Sequence, residues 1–394
     1  MKRGHQPSFV FAFVFALTMI GAPIARAQQS GPPTPPSAYF TVVPLKGVSA
    51  AIVRANAAAA ASIPLWTYSI TSPVNGLNYS GSMVGRSPYF HGARTTGIPT
   101  YIVPVIIKMP DGGVFDPTVA DTACSPAGTP LSLADNSPVL QSAQYPMNGI
   151  DVGSGQYDDL FQRANFWNDV NVTGDSYHTR LNAITLKAVV VNVPSGDGTT
   201  NSASLYGGCG KIGVMNFNWF DPYVQSTLLP SLAAQGVGPT NLPIFLLYNV
   251  VMSNGTPSLT GSCCILGYHA AVYTSALQTY IPVDYDTTGI FVGTGNISAM
   301  SHEVGEWMDD PTGTNSTPAW GHTGQVSSCQ SNLEDGDPLS GTLFPGVLMP
   351  NGVVYTPQEL VFFSWFFRQS PSIGSGGYYS NNEAFASSAG AVCQ

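Results

Sequence analysis

Charge is what this chain has least of. Asp, Glu, Lys and Arg make up 9% of its 394 residues, against about 25% in ordinary soluble domains. Only 13 residues are Lys or Arg, and the formal net charge is −9. No basic patch is available to neutralise a phosphate backbone, which excludes nucleic acid as a partner. After residue 27 no run of 18 or more apolar residues occurs, so no membrane-spanning helix is expected. Cys-x-x-Cys pairs are missing, which weighs against a zinc-thiolate framework. No internal repeat is visible.

Gly (42) and Pro (32) are abundant, and 44% of the chain is apolar. That apolar share can bury a sizeable core, so the chain is not a disordered one. Residues 1–27 have the pattern of a secretory signal peptide: Met1-Lys2-Arg3, a short apolar core over 9–21, and Ala25-Arg26-Ala27 as the cleavage site. The expectation is a secreted protein, extracellular or periplasmic. Six cysteines follow: Cys124, Cys209, Cys263, Cys264, Cys329 and Cys393. An even number in an exported chain predicts up to three disulfides, with adjacent Cys263 and Cys264 taking different partners.

Residues 28–95 read as a Pro/Ala-rich lead and a β-rich N-terminal region. A helix is expected at 49–62 and strands at 66–70 and 77–84 around the Asn75-Gly76 turn. Residues 96–394 are expected to form the main domain, of α+β class. Here the patterns predict a strand at 101–107, a helix at 158–167 and a buried strand at 184–193. A helix at 221–234 and strands at 244–252, 265–273 and 280–285 follow. Next comes a helix at 297–309, capped by Asn296 or Ser298 and ended by Asp310 before Pro311. A second helix, 356–368, is apolar almost all round and reads as buried.

The helix at 297–309 carries the chemistry, in the stretch SHEVGEWMDD. On a helix, His302 and Glu306 sit one turn apart on one face, so an imidazole nitrogen and a carboxylate oxygen reach one metal ion. Glu303 lies at the flank, where a general base takes a proton from water whose pKa a metal has lowered. The chain has five glutamates in all, and seven of its 22 acidic residues fall within 303–337, a span with no Lys or Arg. Clustered carboxylates repel unless something positive compensates them. A bound cation is the simplest compensation. Against this, a lone buried histidine is ordinarily a core residue, Asp309 reads as part of the helix-ending turn, and 334–337 as a solvated turn.

The stretch resembles the active-site helix of the zincin metallopeptidases, whose motif is His-Glu-x-x-His. The order of elements before it, a helix at 221–234 and three strands, is also similar. The resemblance covers roughly residues 220–340. It implies a zincin-like mixed sheet for the main domain, with His302 as first metal ligand, Glu303 as general base and Glu334 as downstream ligand. Glu306 departs from the motif at a ligand position. One histidine and two glutamates would neutralise a divalent ion and lower its Lewis acidity, and they widen the choice from Zn²⁺ to Mn²⁺ or Fe²⁺. Asp310, His269 and His322 are the alternative ligands. The resulting expectation is an exported hydrolase acting on a protein or peptide. The competing one is a non-catalytic secreted protein, stabilised by metal and disulfides, that binds glycan or cell wall.

Overall fold

The computed structural model describes Met1 and residues 33–90, 94–172, 177–387 and 393. The expected signal peptide lies outside the described residues.

An eleven-stranded, curled mixed sheet organises the molecule. Its path runs Gly198–Ser202, Lys211–Asn216, Val250–Ser253, Cys263–Tyr273, Leu277–Tyr285, Leu242–Tyr248, Thr95–Lys108, Val114–Phe115. Tyr39–Val43 adds in parallel to Cys263–Tyr273, and His178–Thr185 and Val189–Asn192 add to Thr95–Lys108. Leu242–Tyr248 and Leu277–Tyr285 are buried at every position. Burial at every position belongs to strands covered on both faces, although the second strand includes polar Gln278, Thr279 and Asp284. Alternate residues accordingly feed two cores: Ile244, Leu246, Ile281 and Val283 on one side, Phe245, Leu247 and Tyr280 on the other.

The first core receives helix Ser298–Asp309, hereafter the motif helix, through Met300, Val304, Trp307 and Met308. The second receives the helical stretch that begins at Phe217–Tyr223, through Phe220, Val224, Leu228 and Leu232. The motif helix also packs on helix Tyr157–Asn165 and on strand Asn78–Val84. All twelve of its residues are buried. Gly305 permits that depth, because a Cβ there would lie 2.7 Å from Leu360 Cδ1.

Several expectations need correction. Residues 356–368 form only one helical turn, Phe363–Phe366. Their backbone N–H groups are spent across the chain instead, Glu359 to Thr342, Val361 to Asp335 and Phe362 to Tyr379. The strand expected at 244–252 is two strands in different parts of the sheet. Asn249 breaks it with φ +47°, a left-handed conformation that Asn tolerates, and its side chain bonds Thr287. The buried strand expected at 184–193 is likewise two strands, with Ile184 61% exposed. Ser298 opens the motif helix without capping it, because its hydroxyl bonds Gly295.

The three disulfides are Cys124–Cys209, Cys263–Cys264 and Cys329–Cys393. Cys263 and Cys264 pair with each other, not with separate partners. Among the described residues no helix is long and apolar enough to cross a membrane. The Cys124–Cys209 bridge closes a loop of 85 residues, for which chain entropy gives about 4.6 kcal/mol. Replacing both cysteines by serine should lower the thermal midpoint by several degrees while leaving the far-ultraviolet circular dichroism unchanged.

Candidate metal centre

One turn of the motif helix separates His302 from Glu306, and His302 Nε2 lies 3.0 Å from Glu306 Oε1. The two share a face, as their spacing requires. Gln358 fixes the ring. Its Nε2 donates to Gly336 O at 2.7 Å, which turns its Oε1 toward His302 Nδ1 at 3.0 Å. His302 Nδ1–H is thus the donor, and Nε2 is the ring nitrogen that faces the carboxylates. An imidazole oriented through its other nitrogen is the usual arrangement of a metal ligand. Gly336 makes room for it, since a Cβ there would lie 2.4 Å from Nδ1.

His269, from strand Cys263–Tyr273, approaches from the sheet side. Its Nδ1 lies 3.3 Å from Glu303 Oε2 and 3.6 Å from Glu306 Oε2, and its Nε2 lies 4.0 Å from Glu334 Oε2. Facing two carboxylates, Nδ1 carries the hydrogen, so Nε2 is a free lone pair. Gly267 lets the Glu303 side chain lie against this strand, because a Cβ would meet Glu303 Cγ at 2.8 Å.

Among the described residues three groups have ligating atoms within 4.8 Å of one another. Two lie at this centre, His269 with Glu303 and Glu306, and His302 with Glu306 and Asp337; in the third, His322 with Cys329 and Cys393, the cysteines are bridged to each other. Glu306 belongs to both groups at the centre. Asp337, 3.7 Å from His302 Nε2, was legible only as part of the acidic turn. Glu334 borders the centre beside His269 but belongs to neither group. Asp310 is turned away and accepts from the N–H groups of Thr314 and Asn315. Asp309 accepts from Gln162 and Asn165. His322 lies outside the centre, 3.8 Å from Cys329 Sγ on an exposed hairpin.

Every one of these carboxylates is buried. Burial pushes Glu303, Glu334 and Asp335 well up, and the negative charge around them adds to it. Asp309 is pushed up to about 6, Asp310 to about 7 and Asp337 to about 8, burial being the largest cause for each. Glu306 goes the other way: burial works to raise it, but the imidazoles of His302 and His269 hold it below its ordinary value. Burial takes His269 down to about 4. His302 is raised, because the Glu306 carboxylate outweighs the burial that opposes it.

The donor set fits a divalent ion. Nε2 of both histidines, Glu303 Oε1, Glu306 Oε2 and Glu334 Oε1 are buried without a hydrogen-bond partner. Orphaned buried polar atoms are costly, and here five of them belong to one cluster of nitrogen and oxygen donors. Comparison with known proteins gives no match: no family model fits the chain, and no curated protein or solved structure is similar to it.

Because folding raises these carboxyls, the metal-free native protein keeps protons that the unfolded chain loses above about pH 4. Their contribution to stability is full below that pH and is lost as pH rises through 6 to 8. In chelator, the urea midpoint should therefore fall from pH 4.5 to 8.5. Asp337→Asn should make the fall smaller, by raising the midpoint at the alkaline end.

Proposed function

We propose that this chain is an exported metal-dependent hydrolase, zincin-like in its active site, that cuts protein or peptide substrates. The observation that carries the reading is the set of unpartnered ligating atoms on His269, His302 and Glu306, with Glu303 Oε1 unpartnered beside them. His302, Glu306 and Asp337 would hold the ion, with His269 or Glu334 completing the set. His269 would restore the second nitrogen that Glu306 removes from the zincin motif. Mixed nitrogen and oxygen donors suit Zn²⁺ first and admit Mn²⁺ or Fe²⁺. A bound divalent ion supplies Lewis acidity toward a carbonyl and makes water more acidic.

The remaining work falls to Glu303. Burial and the neighbouring Glu306 raise its proton affinity, which is what a general base needs to take a proton near neutral pH. Its Oε1 is free to accept that proton, while His269 Nδ1–H holds its Oε2 in place. Three disulfides and the lack of a membrane-crossing helix among the described residues are compatible with export.

One observation favours a second reading, a non-catalytic secreted protein whose metal and disulfides hold a binding surface for glycan or cell wall. His269, His302, Glu303 and Glu306 are at most 1% exposed, and a structural ion needs no access. The two readings separate on Glu303. Zinc content at neutral pH is measured first; no bound transition metal would overturn both. Glu303→Gln should then retain the metal yet lower casein hydrolysis about 100-fold or more, whereas Glu306→Ala should lose the metal. Tight metal with no turnover of any protein or peptide would decide for the second reading.

A further inference from the structure

The chain's own N-terminal segment packs against the candidate centre. Tyr39–Val43 lies as a parallel strand along Cys263–Tyr273, the strand that carries His269, with Phe40 opposite Gly267 and Val42 opposite His269. The Phe40 ring stacks on the His302 imidazole, centroid to centroid 3.8 Å and 20° from parallel. Phe40 is itself 1% exposed. Gln325 clamps its outer edge, accepting from Phe40 N and donating to Phe40 O, both at 2.9 Å. The Cys264 N–H donates to Ser37 O at 3.3 Å, and the Leu45 N–H to Thr312 O at 2.9 Å.

Two features distinguish this segment from ordinary sheet. It runs along a cleft it does not fill, a cavity of about 830 Å³ lined by residues 34–41 together with Phe217, Ile265, Gln325 and Gly341. It also presents a ring and not a peptide bond to His302. The Phe40 amide and carbonyl are both engaged by Gln325, so the segment covers the centre without offering it a bond to cut. Beyond the cover the chain is open to attack. Lys46 and Gly47 are exposed, and Lys46 is the first basic residue after Arg26.

We propose that residues 34–43 are a built-in cover occupying the place of the substrate, an extended polypeptide that adds as a strand to the Ile265–Ala270 edge and sets an apolar side chain over His302. Strand addition binds a peptide through its backbone and leaves selection to side-chain pockets. Here that pocket is the one Phe40 fills. Seven buried carboxylates around the centre disfavour an acidic side chain there, and residues 33–43 carry no charge. Cutting after Lys46 and losing the fragment opens the cleft. This proposal rests on the hydrolase reading for its substrate, but the cover itself is tested without it.

The test labels histidines in metal-free protein with diethylpyrocarbonate and reads His302 by mass spectrometry. Three forms are compared: the full chain, Phe40→Ala, and full chain nicked after Lys46 by trypsin and freed of the fragment. His302 should react about tenfold faster or more in the last two, as expected when a protecting element is removed. A synthetic peptide of residues 34–46 should restore protection, and a scrambled one should not. With zinc added, casein hydrolysis should rise about tenfold in the same two forms, following the fraction of open protein.

Unchanged His302 labelling in folded Phe40→Ala and in the nicked protein would overturn the cover. Labelling that rises with no casein turnover would leave the cover standing and reject the hydrolase. Equal turnover in all three forms would do the reverse. If Phe40→Ala loses its near-ultraviolet circular dichroism, the nicked wild-type protein, with and without the peptide, decides alone.

Discussion

The structure turns on Glu306. It is the one carboxylate of the cluster held below its ordinary value, because two imidazoles converge on it. Around it stand Glu303, Glu334 and Asp337, and behind these Asp309, Asp310 and Asp335, all inside the protein. Removing so many acids from water without Lys or Arg in the same span is unfavourable unless they take up protons or gain a cation. The fold supplies neutral partners for three of them: amides of Gln162 and Asn165 for Asp309, backbone N–H groups for Asp310, and amides of Gln325 and Gln330 for Asp337. Glu303, Glu306 and Glu334 each keep one oxygen with no partner, and Asp335 keeps both.

The sheet makes this arrangement possible. Strands buried along their whole length have both faces covered, and that allows a helix without a solvent side to lie on one of them. Glycines at 267, 305 and 336 then set the distances, one beneath Glu303, one beneath Leu360 and one beside His302. A methyl group at any of the three would displace the contact it serves.

Much of this was legible in the residues. The i, i+4 spacing of His302 and Glu306 put them on one face, and Asp310-Pro311 marked the helix end within a residue. The acidic turn at 334–337 did come to the helix, with Asp337 grouped with His302 and Glu306 and Glu334 beside His269. Gly336, lacking a side chain, lets the turn press on the imidazole. His269 was visible as a nitrogen donor on a neighbouring strand, but its approach to Glu306 required the pairing of the sheet. Gln358 and Phe40 left almost no signal. Gln358 sits in an apolar stretch that read as helix, because hydrophobicity all round does not distinguish a buried helix from a buried extended segment. Phe40 follows a Pro-rich lead whose composition says nothing of a docking place. Long-range hydrogen bonds decide both, and local pattern cannot encode them.

The pairing of Tyr39–Val43 with Cys263–Tyr273 also fixes an order of events. Most of the chain lies between the two strands, so this contact closes one of the longest loops in the molecule. Contacts of such separation form late, after local elements are in place. The motif helix and the strand bearing His269 are, by contrast, near neighbours in sequence. The cluster of donors can therefore assemble while the edge beside it is still bare. During that interval the nascent protein presents an unpaired strand edge next to that cluster. Pairing of Tyr39–Val43 then covers that edge.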